Sequence, residues 1–284
     1  MEKTLLSIGH GYSARALAER LIPQGWRIIG TTRSSEKQAE IAATGVEPLI
    51  WPGDDLAPLL GAVSNILLSA APGPEGDPVL PALADQMSAA APRLRWVGYL
   101  STTGVYGDHG GDWVDETTPL TPSTRRGAAR VQAEAAWGAI PNLPLHIFRL
   151  AGIYGPGRGP FAKVRAGTAR RIIKPGQVFS RVHVADIAQA LELSLRAPQP
   201  GEIYNLCDDD PAPPQDVIGH AAELLGLPLP PEENFDHAEM SPMARSFYAE
   251  SKKVRNDHAK TALGWQPIYP DYRAGLAALL ASDG

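Results

Sequence analysis

Two clusters in this chain have residue types and spacings suited to binding a phosphorylated ligand. The first is Gly9-His10-Gly11-Tyr12-Ser13-Ala14. An apolar run, Thr4–Ile8, leads into it, and an amphipathic pattern of Ala14, Leu17, Ala18, Leu21 and Ile22 follows. In a strand, glycine turn and helix of this kind, Gly9 permits the tight turn. Gly11 lets the backbone come close to a pyrophosphate, and Ala14 lets the helix pack closely on the strand. The helix start at Tyr12, Ser13 and Ala14 then offers free N–H groups and a positive dipole end to the phosphates.

The second cluster closes the next apolar run, Trp26–Gly30, and reads Thr31-Thr32-Arg33-Ser34. An acid here would hold the ribose hydroxyls of NAD(H), but none lies between Ile29 and Ser35. Thr32 and Arg33 would instead attract a 2′-phosphate, which favours NADP(H) over NAD(H) as the expected cofactor. The plainer reading leaves Arg33 as a solvated residue opening the next helix.

Other candidates follow later apolar runs. A carboxylate at Asp54 or Asp55 would accept from an adenine amino group, or simply close a solvated turn. Ala70 and Ala71 are small enough to let the backbone pass under an adenosine. Arg149, Arg158 and Arg181 offer planar guanidinium groups to an anionic substrate such as a diphosphate, with Arg158 best placed in a glycine-rich loop. His183 ends an apolar run and reads as a packed core histidine. The histidines are scattered without ligand spacing and the acids form no paired site, so no catalytic metal is expected.

These residues need elements to hold them. Apolar runs at Thr4–Ile8, Trp26–Gly30, Glu47–Ile50, Asn65–Ser69, Trp96–Ser101 and Leu145–Leu150 alternate with helical patterns at Ala14–Leu21, Ser35–Ala43, Pro81–Ala90 and Arg126–Trp137. That rhythm predicts a doubly wound α/β fold, a parallel sheet covered on both faces with ligands at the carboxyl ends of its strands. After Leu150 a Gly/Pro-rich loop opens a different region: a basic helix-like stretch at Ala162–Arg171, a strand end and an Asp186-capped helix within Val182–Ala197, a short strand at Glu202–Cys207, and helices at Gln215–Leu225 and Tyr272–Leu280. A dinucleotide-binding domain is therefore expected over 1–150, with segments near 180–207 returning to it, and a small substrate lobe mainly over 151–284.

At 284 residues the chain can bury one α/β domain and a smaller lobe. Its net charge of −5 gives no reason to expect nucleic-acid or membrane partners. A single cysteine, Cys207, excludes an internal disulfide. No basic leader precedes a long apolar run, and none reaches the roughly 18 apolar residues a membrane helix needs, so a cytoplasmic protein is expected.

The chain resembles the extended short-chain dehydrogenase/reductase family in its epimerase/dehydratase branch. The resemblance rests on the glycine turn, on Leu100-Ser101-Thr102-Thr103-Gly104-Val105-Tyr106-Gly107, and on Arg149 to Arg158. It continues through Arg181-Val182-His183-Val184-Ala185-Asp186-Ile187-Ala188 and Gly201-Glu202-Ile203-Tyr204-Asn205-Leu206. It implies nicotinamide-dependent oxidoreductase or epimerase chemistry on a small, anionic or nucleotide-linked substrate. In that family a Ser or Thr after the fifth strand acts with a Tyr-x-x-x-Lys pair one helix later. Thr102 falls on the first position, where its hydroxyl can hydrogen-bond a substrate oxygen.

The pair's register, anchored by Glu134, falls on Arg126 and Arg130. Arg130 keeps the charge for a ribose contact, but a guanidinium at Arg126 cannot exchange a proton. Tyr106 is a substitute acid if it faces the crevice, and a packed residue if it lies under the loop. The sequence Tyr248-Ala249-Glu250-Ser251-Lys252 repeats the spacing far from the expected helix and reads as coincidence. Two functions therefore stay open, an atypical oxidoreductase and a non-catalytic NADP(H)-binding regulator.

Overall fold

The computed structural model describes residues 3–73 and 75–282. Seven strands form its main sheet: β1 (Thr4–Ile8), β2 (Arg27–Thr32), β3 (Glu47–Ile50), β4 (Asn65–Leu68), β5 (Trp96–Thr102), β6 (Leu145–Leu150) and β7 (Ile203–Leu206). They pair in the order β7-β6-β5-β4-β1-β2-β3, every pair parallel. The chain winds outward from β1 to β3, then crosses back to β4 on the other side of β1. The crevice of such a sheet opens where the winding reverses, above the carboxyl ends of β1 and β4.

Helices α1 (Tyr12–Leu21), α2 (Glu36–Ala43), α3 (Leu80–Ala90), α4 (Arg125–Gly138) and α5 (Val184–Arg196) flank the sheet, while α6 (Pro214–Leu224) and α7 (Tyr272–Ser282) build the smaller lobe. Strands β1, β4 and β6 are buried along their whole length, which explains their unbroken apolar runs. Helix α1 buries Ala14, Leu17, Ala18 and Leu21, and packs on α5. The smaller lobe has its own core, with Tyr154, Phe161, Val164, Ala221, Tyr272 and Leu276 among its members. Among the described residues no helix is long and apolar enough to cross a membrane.

Two local expectations are corrected. The stretch Ala162–Arg171 is not one helix: a short helix, Phe161–Arg165, ends in a turn, and Arg171–Ile173 is a strand paired with Glu232–Asn234. Gly167, at φ 67°, reverses the chain between them. Helix α5 is capped by His183, whose Nδ1 accepts from the Ala185 N–H at 3.2 Å. Asp186 lies inside the first turn and accepts instead from the Ile268 N–H at 2.6 Å and the Tyr269 N–H at 3.3 Å.

A buried polar network holds α4 to the far half of the sheet. Arg149 on β6 donates from Nη2 to Glu134 Oε2 on α4 at 2.8 Å, with the two side chains 4% and 5% exposed. Ser101 on β5 donates to the other Glu134 oxygen. Removing one partner of such a pair strands a charge in the core. Arg149→Met is therefore expected to cost about 3–5 kcal/mol in urea denaturation, and the double variant Glu134→Leu/Arg149→Met to recover most of it.

Candidate functional site

The glycine turn sits at the switch point. Gly9 has φ 85°, and a side-chain carbon there would lie 2.6 Å from the Ala70 backbone nitrogen, so only glycine lets β1 and β4 end side by side. Its N–H donates to Thr31 Oγ1 at 2.8 Å. Gly11 differs: a side-chain carbon would meet nothing nearer than the Gly9 carbonyl at 3.8 Å, so that face of the backbone is open. Gly11 caps α1 with no side-chain acceptor, which leaves the first helical N–H groups of Tyr12, Ser13 and Ala14 for a ligand. Ser13 and Ala14 are buried, and His10 is packed beneath the turn, where burial pulls its imidazole down to about 4 and keeps it neutral.

The loop after β6 closes over this turn. The Tyr12 hydroxyl donates to the Pro156 carbonyl at 2.9 Å, and the Arg158 guanidinium lies 5.7 Å from the Tyr12 ring centroid. A side chain at Gly155 would collide with that hydroxyl at 2.5 Å. Along the other wall, Thr32 Oγ1 accepts from the Ser34 N–H at 3.2 Å. Arg33 is exposed, with no hydrogen bond, ion pair or ring contact among the described residues. Ala70 is half-buried beside Gly9, and Ala71 is exposed. Asp54 is exposed, and its Oδ2 accepts from the Ile50 N–H at 2.7 Å, closing its own loop.

At the end of β5, Thr102 is half-buried and its Oγ1 accepts from the Gly104 N–H at 3.2 Å, so its hydroxyl hydrogen is left to donate elsewhere. Arg130 on α4 reaches back to the Leu100 carbonyl at 2.5 Å and the Tyr99 hydroxyl at 3.0 Å. Arg126, one turn earlier, is exposed, with its guanidinium carbon 5.4 Å from the Phe247 ring centroid. Helix α4 contains neither tyrosine nor lysine.

Three other candidates are corrected. Tyr106 is fully buried; its hydroxyl donates to Asn205 Oδ1 at 2.8 Å and accepts from Arg149 Nη1 at 3.0 Å. Burial pushes its pKa up to about 12, so it is a structural residue of the core and not an acid of the crevice. Arg149 is consumed by Glu134 and Tyr106. Arg181 donates to the Phe179 and Ala212 carbonyls at 2.9 and 3.0 Å, tying together the lobe's own backbone. Of the three arginines, Arg158 alone stands exposed.

Tyr248 packs its ring against Phe179 and Phe235, and Lys252 donates to the Gly107 carbonyl at 2.7 Å and Glu250 Oε2 at 2.6 Å. Both are structural. A separate cavity of about 440 Å³ opens at the edge of β7, lined by Glu116, Glu202, Arg255 and His258, four strands from β1. No group of three or more potential metal ligands converges among the described residues. The polar core joining Glu134 to Asn205 was missed in sequence, although an arginine within the apolar run Leu145–Leu150 signals a buried acid partner.

This architecture is the fold of the epimerase/dehydratase-like short-chain dehydrogenases/reductases. A UDP-glucuronic acid 4-epimerase from Bacillus cereus, solved with UDP-glucuronic acid and NAD, superposes with a TM-score of 0.79 over 98% of each chain at 17% identity. The chain belongs to the family of Protein YeeZ of Escherichia coli K12, with which it is 33% identical over 95% of its own length and 97% of that protein's. A functionally unknown conserved protein from Silicibacter pomeroyi is 63% identical, with a TM-score of 0.96 over 99% of both chains. A 3-diazoavenalumate denitrifying reductase from Streptomyces is 30% identical over 58% of this chain and 55% of its own. No protein-family model matches the sequence.

Asp208, just after β7, is 2% exposed. Burial pushes its pKa up to about 8, against the opposing pull of Arg181. The folded protein thus keeps a proton that the unfolded chain releases near pH 4. That contribution to stability is full below about pH 4 and is lost as pH rises to about 8. Asp208→Asn should raise Tm relative to the parent at about pH 9 and leave it nearly unchanged at about pH 4. Thermal unfolding at the two pH values checks this.

Proposed function

We propose that the protein binds NADP(H) above β1, β2 and β4 and uses it to reduce a small anionic or nucleotide-linked acceptor. The observation that carries the reading is the open face of Gly11 at the uncapped start of α1, with the unpaired Arg33 at the end of the neighbouring strand. A pyrophosphate fits the first and a 2′-phosphate the second. The Bacillus cereus epimerase was solved with NAD; the preference for NADP(H) here rests on Thr32, on Arg33 and on the lack of an acid between Ile29 and Ser35.

When bound, NADPH supplies a hydride. The chain's own residues do the rest. Tyr12, Ser13 and Ala14 present N–H groups to the pyrophosphate, and the Tyr12–Pro156 contact fastens the roof loop beside them. Arg130, fixed on the Leu100 carbonyl, keeps a positive charge for the ribose. Thr102 donates a hydrogen bond to the acceptor. Arg126 places a guanidinium, a hydrogen-bond donor and not a general acid, where the resemblance expects the tyrosine of α4. Such a site suits an acceptor whose reduction leaves no oxyanion to protonate. Similarity to a 3-diazoavenalumate denitrifying reductase supports this direction: at an aryl diazonium carbon the hydride forms the C–H bond as the C–N bond breaks, the bonding pair leaves with dinitrogen, and no proton is required.

A second reading, an NADP(H)-binding regulator without turnover, is favoured by the same Arg126. Single-turnover measurements separate the two. General acid help is worth about 10²–10⁴-fold, so the parent should be very slow on nucleotide sugars and simple ketones. Arg126→Tyr/Arg130→Lys should gain measurable NADPH oxidation with one of them.

Cofactor choice has its own check. NADPH should bind at least several-fold more tightly than NADH, and Arg33→Ala should remove about tenfold of NADPH affinity. Gly11→Val should abolish binding while circular dichroism shows the fold intact. Equal calorimetric affinities for the two nucleotides would refute the NADP(H) assignment.

A further inference from the structure

Near the end of β5, an exposed cation with no counter-charge lies over an exposed aromatic ring. Arg126 stands in the first turn of α4, whose N-cap Thr124 accepts from the Gly127 N–H at 3.1 Å. Gly127 is pressed against the Gly104 carbonyl, where a side-chain carbon would come within 2.6 Å, so this turn is packed directly on the segment that follows Thr102. Arg126 makes no ion pair among the described residues. Opposite it, a short helix from the smaller lobe, Pro242–Phe247, brings the Phe247 ring to 5.4 Å from the guanidinium carbon.

Phe247 is 55% exposed, yet a core was within reach. Its neighbour Tyr248 is 9% exposed in a cluster with Ile172, Phe179 and Phe235. The segment is also pinned on both sides, so its placement is determined. Ser123 donates to Glu250 Oε1 at 2.6 Å, the Ser251 N–H donates to Asp108 Oδ1 at 2.7 Å, and Lys174 donates to the Tyr248 carbonyl. Glu250, whose Oε1 accepts from Ser123, pairs through Oε2 with Lys252 at 2.6 Å.

We propose that Arg126 and Phe247 form a substrate subsite for a planar aromatic carboxylate. A carboxylate matches the two parallel N–H groups of a guanidinium edge, and an apolar ring system covers the phenyl face. A free phosphate would satisfy the guanidinium and leave the ring wet, and a sugar hydroxyl face would do little for either. The subsite lies one helical turn from Arg130, on a turn packed against the Gly104 carbonyl two residues after Thr102, and it rests on the reading above.

Calorimetry with cinnamate, cinnamamide, inorganic phosphate and UDP-glucuronic acid tests the proposal, on the free protein and on protein saturated with NADP⁺. Cinnamate should bind about tenfold or more tightly than cinnamamide, and Arg126→Ala should erase that difference while leaving the amide unchanged. Arg126→Lys should restore part of it, and Phe247→Ala should weaken acid and amide alike. Both side chains are exposed, so circular dichroism should match the parent for each variant.

Equal binding of acid and amide overturns the subsite, as does an Arg126→Ala variant with unchanged cinnamate affinity. Tighter binding of phosphate or UDP-glucuronic acid than of cinnamate also overturns it. NADP⁺ binding is read separately in the same sample: its failure refutes the cofactor reading, while the nucleotide-free titrations still decide the carboxylate subsite.

Discussion

The buried Glu134–Arg149 pair is the constraint on which the rest of the site geometry depends. Burying two charges is tolerable only with close geometry and satisfied hydrogen bonds. Ser101, Tyr106 and Asn205 supply those bonds from β5, the segment after it and β7. Helix α4 therefore cannot rotate or slide without stranding an ion. Arg130, four positions before Glu134, shares its helix face and is turned toward the end of β5. Successive strand residues point to opposite faces, so anchoring Ser101 beneath the helix fixes the orientation of Thr102 as well.

Close backbone approaches do the same work on the cofactor side. The Gly9–Ala70 contact brings the ends of β1 and β4 together, and the Gly155–Tyr12 contact seats the loop after β6 on the first residue of α1. Each is a place where one methyl group would separate two elements. The smaller lobe is thus tied to the sheet at both ends of the crevice: by Tyr12 and Pro156 at one, by Ser123, Asp108 and the Glu250–Ser251 segment at the other.

What could be read in the sequence follows from the range of the interactions. Strands β1 and β6 have the limits their apolar runs predict, because burial on both faces is a local, one-dimensional signal, and the half-buried edge strand β3 matches its run as well. The glycine turn is legible for the same reason. Tyr106, Arg149 and Arg181 were assigned by side-chain type and by position after a strand, and all three are turned inward by partners distant in the chain. Asp186 was read as the cap of α5 from its type, but the position before the helix belongs to His183, and the carboxylate serves backbone N–H groups some eighty residues later. The exposure of Phe247 beside Arg126 had no sequence signal, since nothing local distinguishes it from the buried Tyr248.

The chain carries a net charge of −5, yet the proposed site carries Arg33, Arg126, Arg130 and Arg158. Positive groups gathered on one concave face of an acidic protein concentrate anions there more effectively than an even distribution would. Arginine in the register where the resemblance expects tyrosine adds a planar guanidinium to that set. A site with a proton donor can reduce many carbonyls and must then select among them by shape. A site with a fixed cation in its place gives up proton transfer and gains selection by charge. On the reading proposed above, its acceptor is one that hydride addition alone completes.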